Sequence, residues 1–346
     1  MDGRAGGFYL CVMSHAPKAA ILGIAGPRLT AEEAALFRRL PPAGVILFRR
    51  NVEDPEQLRA LTADLRRVLP LGAVLMVDQE GGRVARLRPP HWGGHPPAGA
   101  IGALFRRDTA AGLRGAFLTG ALIGLDCMAM GLDTVCAPVL DLCVPGASDV
   151  IGDRAFGGEP LEVARLARAV AAGLLAAGVQ PVGKHAPGHG RASVDSHLAL
   201  PTVEANDLAA DLAPFAANAD LPWMMTAHIV YRAWDAQRPA TLSPVVIGEV
   251  IRGRAGFRGV LTSDDLAMEA LSGTPAERAT RALAAGCDIA LYCPGGIAEN
   301  AAVLKAVPPL TQAAESRLAA ARGVARRRRL ALDPVGLRAE RDGLGI

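Results

Sequence analysis

Short apolar runs alternate with longer amphipathic segments along almost the whole chain. The runs are apolar throughout instead of alternating with polar residues, which is typical of parallel strands buried on both faces. The pattern predicts eight strands. They are Ala20–Ile24, Gly44–Phe48, Val74–Val77, Thr134–Val139, Val179–Gly183, Trp223–Ala227, Gly259–Thr262 and Asp288–Tyr292.

Helical segments separate these strands, and three of them begin with residues that cap helices. Thr30 with Glu33, and Thr274 with Glu277, have the spacing of a capping box, while Asp54 precedes a proline suited to a first helical turn. Further helices are predicted at Asp108–Met130, Pro160–Ala177, Glu204–Asn218, Pro244–Arg252, Ala298–Ala306 and from Thr311 to about Arg328.

Eight consecutive β-then-α units in 346 residues predict a single-domain α/β protein, a (β/α)8 TIM barrel. Residues 1–18 are expected to form an N-terminal extension, and residues 19–346 the barrel domain with a C-terminal helix. A doubly wound open sheet is the alternative. The sequence lacks both Gly-x-Gly-x-x-Gly after an early strand and Gly-x-x-x-x-Gly-Lys-Ser/Thr, so nucleotide binding has little support.

Composition agrees with a globular protein that has a sizeable core, because 51% of the residues are hydrophobic and 21% are charged. A formal net charge of +3 is too small to indicate a nucleic-acid partner. The dense basic run Arg326–Arg329 is interpreted as a solvated helix face, with a membrane or polyanion contact as the alternative.

Cysteine usage favours a reducing compartment, since the six cysteines include no Cys-x-x-Cys pair. The first 18 residues do not resemble a signal peptide. Gly, Pro or Arg interrupts the apolar stretches before they reach the roughly 18–20 residues of a membrane span. We therefore expect a cytoplasmic monomer with no membrane association, no metal and no cofactor.

Charged or titratable residues follow five of the eight predicted strands. Catalytic residues of (β/α)8 barrels lie at the carboxyl ends of the strands, so these side chains are expected to converge on one polar pocket. They are Asp78, Asp141, Lys184 with His185, His228, and Asp264 with Asp265.

The segment from Lys184 to His197 combines three histidines, a lysine and an aspartate with glycines that free the backbone. Asp195 can hold the His197 ring by one nitrogen and leave the other free to transfer a proton. Because successive strand residues point to opposite sides, only one of Asp264 and Asp265 should face the pocket. A carboxylate opposite a separate proton donor is the minimum required for double-displacement glycoside hydrolysis.

Two further loops carry candidate sugar ligands. Asp78 and Arg86 can together grip vicinal hydroxyls, the carboxylate accepting and the guanidinium donating, or they can form an ion pair that closes the rim. Arg154 could reach the pocket from the loop after the fourth strand, and Asp153 could anchor that loop.

These motifs together resemble the β-N-acetylhexosaminidases of glycoside hydrolase family 3, the single-domain bacterial type that acts in peptidoglycan recycling. The resemblance extends from Ala20 to about Pro334. It rests on Lys-His-x-Pro-Gly-His-Gly with Asp-Ser-His behind it, and on Gly44–Gln57, Asp78–Arg86, Ser263–Met268 and Met225–Tyr231 with Arg238–Ser243. Ala186 and Arg191-Ala192 depart from the commonest family pattern.

The resemblance implies a retaining mechanism with Asp264 as nucleophile and His197 as general acid/base, oriented by Asp195. It implies Asp78, Arg86, Arg154, Lys184 and His185 as ligands of the non-reducing N-acetylglucosamine. The implied substrate is a small carbohydrate, N-acetylglucosamine joined to 1,6-anhydro-N-acetylmuramic acid in muropeptides. Phosphorolysis is a variant, because a histidine repels phosphate less than a carboxylate base would.

Three alternatives remain open from the residues. His185, His189, His228 and Asp264 could support metal-assisted hydrolysis, although Pro-Gly instead of a helix turn lies between His185 and His189. The chain could be a non-catalytic sugar-binding barrel or a broader β-glucosidase.

His91, Trp92 and His95 are interpreted as loop packing, with contact to the leaving group as the alternative. His189 is interpreted as a brace for its loop.

Overall fold

The computed structural model describes residues 16–196 and 199–346. Within these residues ten parallel-paired strands are formed: β1 (Lys18–Gly23), β2 (Pro42–Leu47), β3 (Val74–Val77), β4 (Thr134–Val135), β5 (Gln180–Ala186), β6 (Thr202–Val203), β7 (Trp223–Thr226), β8 (Val230–Tyr231), β9 (Val260–Asp265) and β10 (Ile289–Tyr292). Eight of them close into a barrel in the order β1-β10-β9-β7-β5-β4-β3-β2, while β6 and β8 form a separate two-stranded sheet.

Burial on both faces explains why the barrel strands are apolar throughout. One cluster of buried side chains includes Ile21, Ile46, Met76 and Trp223 and fills the barrel interior. Neighbouring strand residues such as Leu22 belong to a second, larger cluster that includes helix residues. The interior is therefore packed with side chains, as in other barrels of this kind.

Ten α-helices surround the barrel in the described residues. They are α1 (Ala31–Arg39), α2 (Pro55–Val68), α3 (Ala98–Arg107), α4 (Thr109–Ala129), α5 (Pro160–Ala176), α6 (Ala209–Ala217), α7 (Pro275–Ala285), α8 (Ile297–Ala306), α9 (Gln312–Arg328) and α10 (Pro334–Gly343). A π-helix spans Val246–Arg254. The capping boxes predicted at Thr30 and Thr274 are both present, as is the Asp54 cap.

The predicted (β/α)8 barrel is confirmed, and all eight predicted strands are found. Two helices, α3 and α10, were not predicted. Helix α3 follows a loop rich in proline and glycine and has no side-chain cap, so no local signal marks its beginning. Residues 1–15 of the predicted N-terminal extension lie outside the described residues.

Helix α4 agrees with the helix predicted at Asp108–Met130. Its 21 residues are long and apolar enough to cross a membrane, and 61% of the most apolar window is buried inside the protein. It packs closely against α5 and also contacts α3 and α10. Apolar side chains on most of its faces are therefore explained by contacts with neighbouring helices, a situation common to buried core helices.

Candidate active site

A pocket of about 650 Å³ opens at the carboxyl ends of the barrel strands. Its polar lining comes from the carboxyl ends of β5 and β9 and from the loops after β3, β4 and β5, and much of its apolar lining comes from β2, β7 and β10. The lining side chains include Phe48, Asp78, Arg86, Arg154, Lys184, His185, His189, Ser196, Met225, Asp264, Asp265, Met268 and Leu291. All five predicted sugar ligands and one predicted catalytic residue, Asp264, thus meet in one cavity.

Lys184 occupies the floor of this pocket, and its side chain is only 2% exposed. Its Nζ lies 2.5 Å from Asp78 Oδ1 and 2.6 Å from Glu80 Oε1. Burial would lower the pKa of Lys184, but the two carboxylates outweigh burial and raise that pKa above its ordinary value. Burial likewise opposes ionisation of Asp78, yet Lys184 and Arg86 hold the pKa of Asp78 well below its usual range. The cluster is therefore fully charged at neutral pH.

Glu80 is a site residue that the sequence motifs did not single out. It binds the guanidinium of Arg154 through Nε at 2.9 Å and Nη2 at 2.8 Å, and both side chains are nearly buried. Since Glu80 follows Asp78 by two residues, the period of extended backbone could have placed it on the same side. It joins Lys184 and Arg154 into one network.

Gln79 stabilises the loop after β3 in a conformation that brings Arg86 next to Asp78. Its side chain is fully buried, accepts hydrogen bonds from the backbone N–H groups of Arg86 and Leu87, and donates to the Leu87 carbonyl. Arg86 Nη2 then lies 3.0 Å from Asp78 Oδ2. The ion pair is confirmed and its two side chains line the pocket, while their role as sugar ligands stays a prediction.

Asp141 lies behind the pocket and does not line it, which corrects the expectation that every strand-end group would face it. The carboxylate is completely buried and lies 2.6 Å from Nδ1 of His185. It also accepts hydrogen bonds from the backbone N–H groups of His185 and His189. Because the carboxylate accepts, His185 donates from Nδ1 and presents Nε2 to the pocket.

His228 is also behind the pocket wall instead of in it, and it is fully buried. Its Nε2 lies 3.0 Å from the carbonyl oxygen of Asp265, and its Nδ1 lies 2.7 Å from Thr241 Oγ1. A carbonyl only accepts, so Nε2 carries the proton. Burial lowers the pKa of His228, which keeps the ring neutral near pH 7. His228 therefore supports the backbone beside Asp264.

Asp264 and Asp265 both line the pocket, whereas only one was expected to do so. Asp265 Oδ1 accepts hydrogen bonds from the backbone N–H groups of Ala267 and Cys293, as the capping interpretation requires. Burial raises the pKa of Asp265, and the charge of Asp264 adds to that effect. Asp265 is thus held by backbone amides.

The other carboxylate of this pair, Asp264, is the more acidic. Burial alone would raise its pKa, but His185, His228 and the Asp265 N–H outweigh burial and bring that pKa below its ordinary value. Asp264 Oδ1 accepts from the Asp265 N–H at 2.8 Å. The pocket consequently holds an ionised carboxylate at the end of β9.

The loop after β5 is anchored at its base. His189 Nε2 lies 3.0 Å from Ser196 Oγ, and Arg191 forms an ion pair with Asp211 of α6. Burial and the neighbouring His185 lower the pKa of His189 to about 4. The interpretation of His189 as a brace is confirmed by this contact.

The predicted catalytic pair of this loop is only partly described. Asp195 is half-buried, and His197 lies outside the described residues. The approach of His197 to Asp264 stays a prediction.

In the loop after β3, Trp92 and His95 pack as expected, whereas His91 is exposed. His95 Nε2 lies 3.1 Å from Asp126 of α4, and the Trp92 side chain is buried. In the residues that the structure describes, no group of three or more His, Cys, Asp or Glu side chains is arranged to hold a metal ion.

A (β/α)8 barrel whose strand ends surround a small cavity with buried, paired charges defines a barrel enzyme for a small polar substrate. The N-terminal domain model of glycosyl hydrolase family 3 matches residues 15–326, and the chain belongs to this family.

Similar proteins and solved structures specify the activity further. The beta-hexosaminidase of Alkalilimnicola ehrlichii is 45% identical over 280 residues, covering 79% of this chain and 80% of its relative. That of Aromatoleum aromaticum is 42% identical over 282 residues, covering 79% and 78%. The crystal structure of NagZ from Neisseria gonorrhoeae in complex with N-trifluoroacetyl-D-glucosamine matches with a TM-score of 0.85 and 34% identity, covering 96% and 99%. The protein is a glycoside hydrolase, a β-N-acetylhexosaminidase that acts on N-acetylglucosaminides.

Proposed function

We propose that the enzyme removes terminal non-reducing β-linked N-acetylglucosamine with retention, by double displacement through a glycosyl ester of Asp264. The observation that carries this proposal is the ionised Asp264 carboxylate in the pocket, with its pKa lowered by His185 and His228. An anionic carboxylate can attack the anomeric carbon without first losing a proton. The backbone N–H of Asp265 orients it.

His197, oriented by Asp195, is proposed as the general acid/base on the loop after β5. Support comes from two carboxylates of the pocket that already have partners. Asp78 is paired with Lys184, and Asp265 accepts hydrogen bonds from two backbone amides. An imidazole with an ordinary pKa of about 6.5 can donate a proton to the leaving oxygen and then accept one from water.

Five side chains are proposed to bind the sugar. Asp78 can accept hydrogen bonds from hydroxyls, Lys184 and Arg86 can donate, and His185 can use the Nε2 that Asp141 leaves free. Arg154 lines the same pocket, although Glu80 already occupies two of its nitrogens. Its contribution is therefore mainly positive charge and the placement of the others.

The proposed natural substrates are muropeptides that carry N-acetylglucosamine on 1,6-anhydro-N-acetylmuramic acid. The enzyme is proposed to act on them as a monomer in the cytoplasm, during peptidoglycan recycling. The family membership and the relative in complex with N-trifluoroacetyl-D-glucosamine support a pocket for the glucosamine ring. The composition and cysteine usage support a cytoplasmic location.

Trapping of the covalent intermediate tests the mechanism. A 5-fluoro-β-N-acetylglucosaminyl fluoride should inactivate the enzyme with time, and peptide mass spectrometry should find the sugar on Asp264. NMR of early hydrolysis product should show the β-anomer. Label on another residue, or an α-anomer as first product, would contradict the proposal.

A substrate panel tests the proposed muropeptide preference. The panel contains 4-nitrophenyl β-N-acetylglucosaminide, the matching β-glucoside, chitobiose and purified anhydro-muropeptide, each with and without phosphate. We expect the highest kcat/KM for the muropeptide and free N-acetylglucosamine as product. A higher value for chitobiose would contradict the substrate assignment, and a sugar phosphate would show phosphorolysis.

A further inference from the structure

Helix α10, at the C-terminal end of the chain, reaches a loop that supports the pocket. The family model ends at residue 326, before this helix begins at Pro334. Its Arg341 is 7% exposed, which is unusual for a charged residue without a carboxylate partner in the core. Arg341 Nη1 lies 3.1 Å from Nδ1 of His95, and its Nη2 lies 3.3 Å from Asp342.

The two contacts of the His95 ring determine its protonation. Arginine only donates, so His95 Nδ1 must accept and carry no proton. Nε2 then carries the proton and donates to Asp126 Oδ2 at 3.1 Å. The ring is 2% exposed, and it joins α10 to α4 through a single neutral tautomer.

The backbone of the same loop holds the turn that follows β3. The carbonyl of His95 accepts a hydrogen bond from the Gly82 N–H at 2.9 Å. A Cβ at Gly81 would collide with the Pro96 carbonyl, and one at Gly82 would lie 2.7 Å from Pro97 Cβ. Both glycines have positive φ, 105° and 53°. The turn and the His95 loop are therefore in direct backbone contact, with no room between them.

That turn carries Glu80. The Glu80 N–H donates to the Val84 carbonyl at 2.8 Å, which closes the turn. The Glu80 carboxylate holds Lys184 at 2.6 Å and Arg154 at 2.8 Å. A displacement of the turn would thus change the positions of two cations in the pocket.

We propose that Arg341 is a positioning residue for the sugar pocket: acting through His95, it holds the Gly81–Val84 turn and thereby Glu80 at the distance that the bound sugar requires. This inference rests on the proposal that the pocket binds the N-acetylglucosamine ring. Arg341 is not among the residues that line the pocket, and its described hydrogen bonds go to His95 and Asp342. Its effect is therefore on the affinity for the sugar, carried by a continuous set of hydrogen bonds.

Arg341→Met removes the donor but keeps most of the apolar stem. We expect KM for 4-nitrophenyl β-N-acetylglucosaminide, and Kd for N-acetylglucosamine by calorimetry, to rise about fivefold while kcat changes less than about twofold. The matched control is Arg114→Met, which breaks the exposed pair between Arg114 of α4 and Glu340 of α10 at 2.6 Å. It should leave KM and Kd unchanged.

Variants of His95 keep the inference testable if Arg341→Met does not fold. His95→Leu should raise KM and Kd as Arg341→Met does, whereas His95→Gln, which can both accept and donate, should restore much of the affinity. A lower Tm with unchanged KM and Kd, measured well below that Tm, would overturn the inference and leave α10 a structural helix. Failure of the unmodified enzyme to bind N-acetylglucosamine would instead refute the proposed sugar pocket.

Discussion

Glu80 and Lys184 form an ion pair of 2.6 Å in which the side chains are only 7% and 2% exposed. Glu80 lies in the loop after β3, whereas Lys184 lies in strand β5. Separating buried charges from water is costly, so the pair persists because Asp78 and Arg154 complete the network around it. This network lies under the proposed sugar site, and its loss should affect both stability and affinity.

Glu80→Gln should therefore destabilise the protein and weaken sugar binding. The variant removes one of the negative charges that balance the buried cations Lys184 and Arg154. Breaking a buried ion pair costs about 3 kcal/mol of unfolding free energy. Chemical denaturation and KM measurements check both effects. Glu340→Gln is the control, since its pair with Arg114 is about half exposed and should contribute far less to stability. Equal stability losses in the two variants would contradict the interpretation.

Single replacements of Asp264 and Asp265 should distinguish the proposed nucleophile from the neighbouring carboxylate that is held by backbone amides. Asp264→Asn should reduce kcat for 4-nitrophenyl β-N-acetylglucosaminide by at least about 1,000-fold, as expected when a covalent catalyst is removed. Asp265→Asn keeps an oxygen that can accept from Ala267 and Cys293, so its loss should be far smaller. Similar losses in both variants would show that Asp264 has no distinct role. Circular dichroism establishes that both variants fold.

His197→Ala should affect substrates according to their leaving groups. An activated aryl glycoside leaves without a proton, whereas a sugar leaving group needs one from the general acid. We expect the loss in kcat/KM to be much larger for chitobiose than for a dinitrophenyl β-N-acetylglucosaminide. Asp195→Asn should show the same trend more weakly. Equal losses on both substrates would argue against an acid role for His197.

His189 should make stability depend on pH below neutrality. Its pKa is lowered from 6.5 to about 4 by burial, so between these values the unfolded chain binds a proton that the folded protein does not. The stabilisation from neutral His189 is complete above pH 6.5 and is lost as pH falls to about 4, at most about 3 kcal/mol.

Comparison with a variant isolates this contribution. His189→Gln does not titrate and can still bond to Ser196, so its unfolding free energy should fall less steeply between pH 6.5 and 4. Urea denaturation at several pH values measures the slopes. His91→Gln, at an exposed loop position, should leave the slope unchanged. Parallel curves for the unmodified protein and His189→Gln would contradict the prediction.

The barrel and most of the polar lining of the pocket could be predicted from sequence because both depend on local patterns. A continuously apolar run marks a strand buried on two faces, and the residue after it is placed at the rim by barrel geometry alone. Asp78, Lys184, His185 and Asp264 follow from this rule and line the pocket. Their roles in catalysis and binding stay predictions.

Only the tertiary structure decided which charges pair. Lys184 and Asp78 are 106 residues apart, and Arg154 and Glu80 are 74 apart. No local periodicity links such positions, since their contact depends on barrel closure. The same holds for Asp141 and His228. Their positions at strand ends predicted that they would line the pocket, but their side chains point away from it and are buried behind it. The sequence by itself determined which groups reach the rim, whereas the packing of distant segments determined which of them face the pocket.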